Sequence, residues 1–402
     1  MLSLSQAHFD GVASLIGNWD SGNAERLRVE AHLDGLRIEG RDSVELAAER
    51  LDAAEDEEEV ATATLVLLEC GDRKDAQPVL DRLMGGELDL CDAIRRGLRL
   101  SRIGKILDEL KTRMHPANAI TRAAIADVLA FHRCEISIDL NELARLEEPR
   151  IRRCAAEAAG RRQNPTNAAL VRTLIEDQNP TVRRSALRGS ARLRLRGLDD
   201  LCRTRAVADI PCLDSIRFLA VCGTEVDAKL LIQLSKNEMT ARAAVYAMGG
   251  IGVPVLIPYL IELLANPELA DPAAIALERI ALFSVPRGDP PVPPPDATED
   301  VLDFWDPPSP PIPGTAQNWW TEKRNQFTDG KRYQAGICVS DNPLGERFDE
   351  LPDQVRYELY LRERAGDGES IPDWELETWP QYQRKPDWSD GVMELWSDGV
   401  ME

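Results

Sequence analysis

The chain has 402 residues, with 48 Lys+Arg against 69 Asp+Glu, a net charge of −21, 43% apolar residues and 5% aromatic ones. That length suits two or three ordinary domains or one elongated repeat array, and the density of Leu, Ala, Ile and Val between residues 60 and 285 excludes a disordered chain. The acidity argues against a dedicated nucleic-acid binder, whose footprint would be basic.

Charge is segmented along the chain. Residues 1–60 hold 5 basic and 15 acidic side chains, residues 149–205 hold 14 and 5, and residues 287–402 hold 11 and 25, so acidic ends flank one basic stretch. The N-terminus lacks a basic, apolar leader pattern and no apolar run approaches the length of a membrane span, so a cytoplasmic protein is expected. The eight cysteines form no CxxC pair. They are expected to be thiols in a reducing compartment, and the even spacing of Cys202, Cys212 and Cys222 hints at a cluster without histidine, which predicts packing rather than metal binding.

In chain order, an acidic N-terminal helical region (1–60) comes first, with amphipathic helices expected over Arg41–Ala53 and Glu58–Cys70. An array follows over 61–285. Pro149-Arg-Ile-Arg-Arg-Cys-Ala-Ala is echoed 31 residues later by Pro180-Thr-Val-Arg-Arg-Ser-Ala-Leu, and Pro211 opens a third copy. Shorter copies start near Met239 and Pro116. Proline is tolerated in the first helical turn, so each marks a helix start, and the small residues that follow (Ala155, Ala156, Ala159, Ala186, Gly189) allow close helix crossing. Second helices are expected over 167–177, 198–205, 226–234 and 253–264, with Gly249-Gly250-Ile-Gly252 as a bend between paired helices. The fold class predicted is all-α, an α-solenoid of short helical repeats. The pattern resembles HEAT repeats, in which a loop Asp, a Pro and a Val-Arg pair recur, as Asp177, Pro180, Val182 and Arg183 do here.

The arginines divide into two sets. One per repeat (Arg152, Arg183, Arg217, Arg242) is expected to join a structural ladder with loop carboxylates such as Asp177. Arg153, Arg184, Arg188 and Arg192 are left over. The last three recur every four residues, which places them on one helix face, as a solvated stripe, a surface for an anionic partner, or a seat for the chain's own acidic C-terminal region.

Residues 286–315 form a proline-rich linker, where extended polyproline structure is expected. A Trp-rich module follows over 316–387, with Trp319, Trp320, Phe327 and Tyr333 as an aromatic cluster and a helix starting at Leu351-Pro-Asp353. The tail (388–402) repeats Trp-Ser-Asp-Gly-Val-Met-Glu. The four histidines are not followed by Glu, and the sequence contains no Walker loop, GxGxxG or GxSxG. A non-enzymatic protein without metal or cofactor is therefore expected.

The segment Glu30-Ala-His32-Leu-Asp34-Gly35-Leu-Arg37-Ile-Glu-Gly40, together with Trp320, Phe327, Gly330, Arg332, Tyr333, Gly336 and Arg356–Leu361, resembles an uncharacterised proteobacterial family with HEAT-like repeats. Members of that family often stand beside genes for type VI secretion spike proteins and effectors. The resemblance implies an adaptor or chaperone that holds an effector or spike component. The alternatives are an immunity-type protein masking a toxin and a nucleic-acid-binding solenoid using Arg184, Arg188 and Arg192.

Overall fold

The computed structural model describes residues 4–16, 23–54, 56–292, 309–340, 347–348 and 351–366. The duplicated tail and the middle of the proline-rich segment lie outside them. The described residues hold twenty α-helices and one two-stranded sheet. The chain forms two compact units, one ending at Gly189 and the other beginning at Ser190.

The first unit contains α1 (Leu4–Ile16), α2 (Asn23–Glu39), α3 (Arg41–Ala53), α4 (Glu57–Cys70), α5 (Gln77–Gly85), α6 (Leu88–Leu100), α7 (Leu107–Met114), α8 (Ala119–Phe131), α9 (Leu140–Ala144), α10 (Pro149–Arg161), α11 (Ala168–Ile175) and most of α12 (Pro180–Arg192). Within it α4, α6, α8 and α10 pack in succession, with the shorter helices beside them. Helix starts follow capping chemistry. Asp56, Asn118 and Glu148 accept from the backbone N–H groups of Glu59, Thr121 and Arg150, and Pro149 fills the first turn of α10. The helix expected to be amphipathic from Glu58 is enclosed instead, because Val60–Leu68 are all buried. Small residues set the crossings. A Cβ on Gly160 would lie 2.4 Å from Gly189 Cα, so α10 and α12 meet backbone to backbone.

The second unit continues with α13 (Leu198–Ala206), α14 (Leu213–Cys222), α15 (Ala228–Leu234), α16 (Glu238–Ile251), α17 (Ile257–Leu263) and α18 (Ala270–Ala281), in which α14, α16 and α18 pack in succession. Both units therefore show the sequential helix stacking of an all-α solenoid. Gly249 and Gly250 are not a bend as expected but lie inside α16, where a Cβ on Gly250 would meet Ala220 Cβ at 2.2 Å. Gly252 alone caps the helix, at φ 71°. Close helix crossing, rather than chain reversal, is what the glycine pair serves.

The described ends of the proline-rich segment are not an open spacer. Gly288 N–H donates to Pro310 O at 2.9 Å and Ile312 N–H to Pro286 O at 2.8 Å, an antiparallel clasp that brings α19 (Pro313–Lys323) back to the array. A hairpin pairs β1 (Tyr333–Gln334) with β2 (Ile337–Cys338), and α20 (Asp353–Ala365) ends the described chain. Among the described residues no helix is long and apolar enough to cross a membrane.

Candidate functional site

The expected arginine ladder takes a different form at each rung. Arg152 grips Asp177 through Nε at 2.6 Å and Nη2 at 2.9 Å, and donates to the Leu146 carbonyl at 2.9 Å. Burial alone would raise the Asp177 pKa, but the Arg152 hydrogen bond and the Asn179 N–H hold it below the usual carboxylate range. One repeat later Arg183 donates to the carbonyls of Asp177 and Gln178, at 2.9 and 2.7 Å. Arg242 reaches the Glu268 carbonyl only at 3.5 Å, and Arg217 is exposed with no ion pair or hydrogen bond among the described residues. In the second unit the carboxylate of Asp227 is held by Arg203 of α13 instead, at 2.6 and 3.1 Å.

The four leftover arginines do not share one solvent face. Arg153 is bound to Asp92. Burial raises the Asp92 pKa, yet Arg95 and Arg153 outweigh it and lower the net value. Arg184 is exposed and donates to Pro180 O, and Arg188 lies 3.6 Å from Glu157 with its side chain 42% exposed. Arg192 is only 1% exposed, its guanidinium bonded to the Tyr357 hydroxyl and lying over that ring. The expected stripe fails at its end, because Tyr357 of α20 covers Arg192.

Sequence reasoning missed a buried charge network in the first unit. Asp127 is fully buried and takes Arg95 at 2.5 Å and Arg161 at 3.1 Å, with Arg99 at 4.0 Å. Arg161 also reaches Glu157, and the guanidiniums of Arg99 and Arg161 lie 4.5 and 4.8 Å from the Phe131 ring centroid. His132 Nε2 bonds Leu98 O at 2.9 Å, and burial pushes its pKa down to about 4. Acidic residues at equivalent places in two Ala-rich helices, Asp127 and Glu157, were the available signal. Beside the network, a cavity of about 10 Å³ lined by Cys91, Asp92, Arg95 and Cys154 has room for roughly one water.

The stretches that carry the resemblance perform packing work. His32 of α2 lies over Gly11 and His8 of α1 over Gly35, with their Nδ1 atoms 3.2 Å apart, while Arg37 joins Asp34 to Glu69. In the second unit Arg332 is buried and donates to Ala220 O at 2.8 Å and to Gly250 O; Gln334 donates to Gly249 O and Gly250 O. Arg362 of α20 donates to Val221 O and Gly223 O at 3.0 and 2.7 Å. These are the orphan carbonyls at the ends of α14 and α16, where cations also meet the negative end of the helix dipole. Glu358 completes the seat, accepting from Tyr246 at 2.6 Å and from Arg279. Burial, then the Glu358 charge, pushes the Tyr246 phenol up to about 12.

The aromatic cluster forms on this seat. Phe283 stacks on Trp319 at 4.3 Å; Phe327 lies 6.2 Å from Trp319, 5.6 Å from Trp320 and 4.8 Å from Tyr333. Tyr333 is buried, but Phe283, Trp319, Trp320 and Phe327 are half-exposed. Exposed Leu282 and Ile312 adjoin Phe283 and α19 in the chain. Compared with known protein families and with curated proteins, the chain matches none.

Proposed function

We propose that the chain is a non-enzymatic protein-binding scaffold, an adaptor or chaperone that holds a type VI secretion effector or spike component, and that its second unit makes the contact. One observation carries the placement. Ten of the thirteen exposed large aliphatic side chains among the described residues belong to the second unit, including Val207, Ile210, Val226, Met239 and Leu282. Scattered exposed aliphatics are ordinary on any surface, but their concentration in one unit, which also carries the half-exposed Trp319 and Trp320, supports placing the contact there. The secretion role rests on the resemblance of the His32–Arg37 and Trp320–Gly336 elements.

Co-purification from cells expressing a neighbouring effector tests the reading. Capture is expected to survive Arg184→Glu and to be lost in Val207→Asp/Ile210→Asp and in Trp319→Ala/Trp320→Ala, with unchanged helical circular dichroism. Capture that survives both apolar variants removes the placement. Rescue of effector-poisoned cells, without any secretion defect on gene deletion, replaces the adaptor by an immunity-type protein.

A further inference from the structure

The first unit opens on a short sequence repeat. Ala7-His8-Phe9-Asp10-Gly11-Val12 in α1 returns 24 residues later in α2 as Ala31-His32-Leu33-Asp34-Gly35-Leu36. Residues three apart share a helix face, so each His stands beside the Gly of its own copy. Phe9 and Leu33 turn into the core, while Asp10 and Asp34 are exposed. Each half-buried imidazole lies on the glycine of the other helix. A Cβ on Gly11 would fall 2.5 Å from His32 Cε1, and one on Gly35 would fall 2.5 Å from His8 Nε2. This reciprocal pairing, His8 with Gly35 and His32 with Gly11, sets the two helices antiparallel and turns the rings toward each other. Their planes are inclined by 63° and their Nδ1 atoms are 3.2 Å apart.

That separation is the one two ligands of a single metal ion need, because bonds of about 2.0–2.1 Å at a tetrahedral angle place two nitrogens about 3.3 Å apart. We propose that His8 and His32 bind one divalent cation of the zinc class through their Nδ1 atoms, and that the cation pins α1 to α2. Without it, one Nδ1–H donates to the other Nδ1. On binding, both Nδ1 lone pairs go to the metal and the shared proton moves to Nε2 of its own ring, so none is released to solvent. No third His, Cys, Asp or Glu joins the pair among the described residues, so water completes the coordination. Burial, then the His8 ring, then Arg28 hold the His32 pKa below its ordinary value, which keeps a proton from competing for the lone pair at neutral pH. Residues 1–60, with 5 basic and 15 acidic side chains, draw cations to this end of the chain. Gly11 and Gly35 are what lets the rings approach, since a side chain at either position would displace the ring lying on it.

Isothermal titration of the full chain with zinc chloride, at a pH above the imidazole range, is expected to show one ion bound per chain. His8→Gln and His32→Gln should each weaken binding by about 100-fold or more, beyond the cost of a change outside the ligands, and Gly35→Ala, which keeps both ligands, by about tenfold. Zinc should also slow amide exchange in α1 and α2 of the parent and not in the glutamine variants. Should a glutamine variant lose its helical circular dichroism, diethyl pyrocarbonate reads the parent directly: zinc should protect His8 and His32 and leave exposed His115 reactive. Absence of binding at millimolar zinc, equal binding by the parent and both glutamine variants, or modification of His8 and His32 that zinc does not slow overturns the proposal.

Discussion

The two units satisfy buried polar groups in opposite ways. In the first, charge is matched by charge. Arg95 and Arg161 come from two helices to one carboxylate on a third, Asp127, and Arg152 clasps Asp177. In the second, Arg332 and Arg362 are spent largely on backbone carbonyls at helix ends, and carboxylates enter at Glu358 and Asp227. An ion network holds neighbouring repeats in register, whereas a carbonyl clamp closes the ends of α14 and α16. The difference extends to the surface, since the second unit carries most of the exposed large aliphatics.

The comparison is sharpest at Asp127. Asp127→Ala leaves two buried guanidiniums without their anion and should cost about 3–5 kcal/mol, read by urea unfolding of the full chain. A loss below about 1 kcal/mol would show that the network is solvated and the contrast false. Next comes Gly250→Ala, which forces a methyl into Ala220 and should destabilise by about 1–3 kcal/mol. Arg332→Leu removes the donor to Ala220 and Gly250, for about 1–3 kcal/mol. Its signature is earlier protease cleavage between residues 330 and 366 than within α4–α8, and cleavage that does not shift breaks the clamp description.

A smaller effect distinguishes the units by pH. His132 has a folded pKa of about 4, below its unfolded value near 6.5. The unfolded chain therefore binds the proton first. The stabilisation is full above about pH 6.5 and is lost as pH falls through the folded value near 4. Melting followed from pH 7.5 to 4.5 should fall less steeply in His132→Gln than in the parent, and equal slopes would assign the acid sensitivity elsewhere. The smallest change is expected from Arg188→Gln, whose pair with Glu157 is half-exposed. A shift within about 1 kcal/mol is expected, and a larger one would place Arg188 inside the network.

Much of the array was legible because its signals are local. Pro149 and Pro180 mark helix starts by backbone chemistry, and small residues at three- and four-residue spacing mark the crossings. Arg192 and Arg153 show where such reading stops. Their spacing on the helix said nothing about Tyr357, 165 residues away, or Asp92, 61 residues away. The aromatic cluster was legible as a list of residues but not as a surface, because its stacking partner Phe283 lies before the proline-rich segment.

Sequence by itself determined an all-α repeat array with a distinct Trp-containing C-terminal segment, since helix periodicity, proline placement and composition act within a few residues. Tertiary structure alone decided which charges are buried and that Gly249 and Gly250 are crossing points. Each of these depends on which helix lies opposite. Burial and pairing are properties of two surfaces brought together, and one strand of sequence describes only one of them.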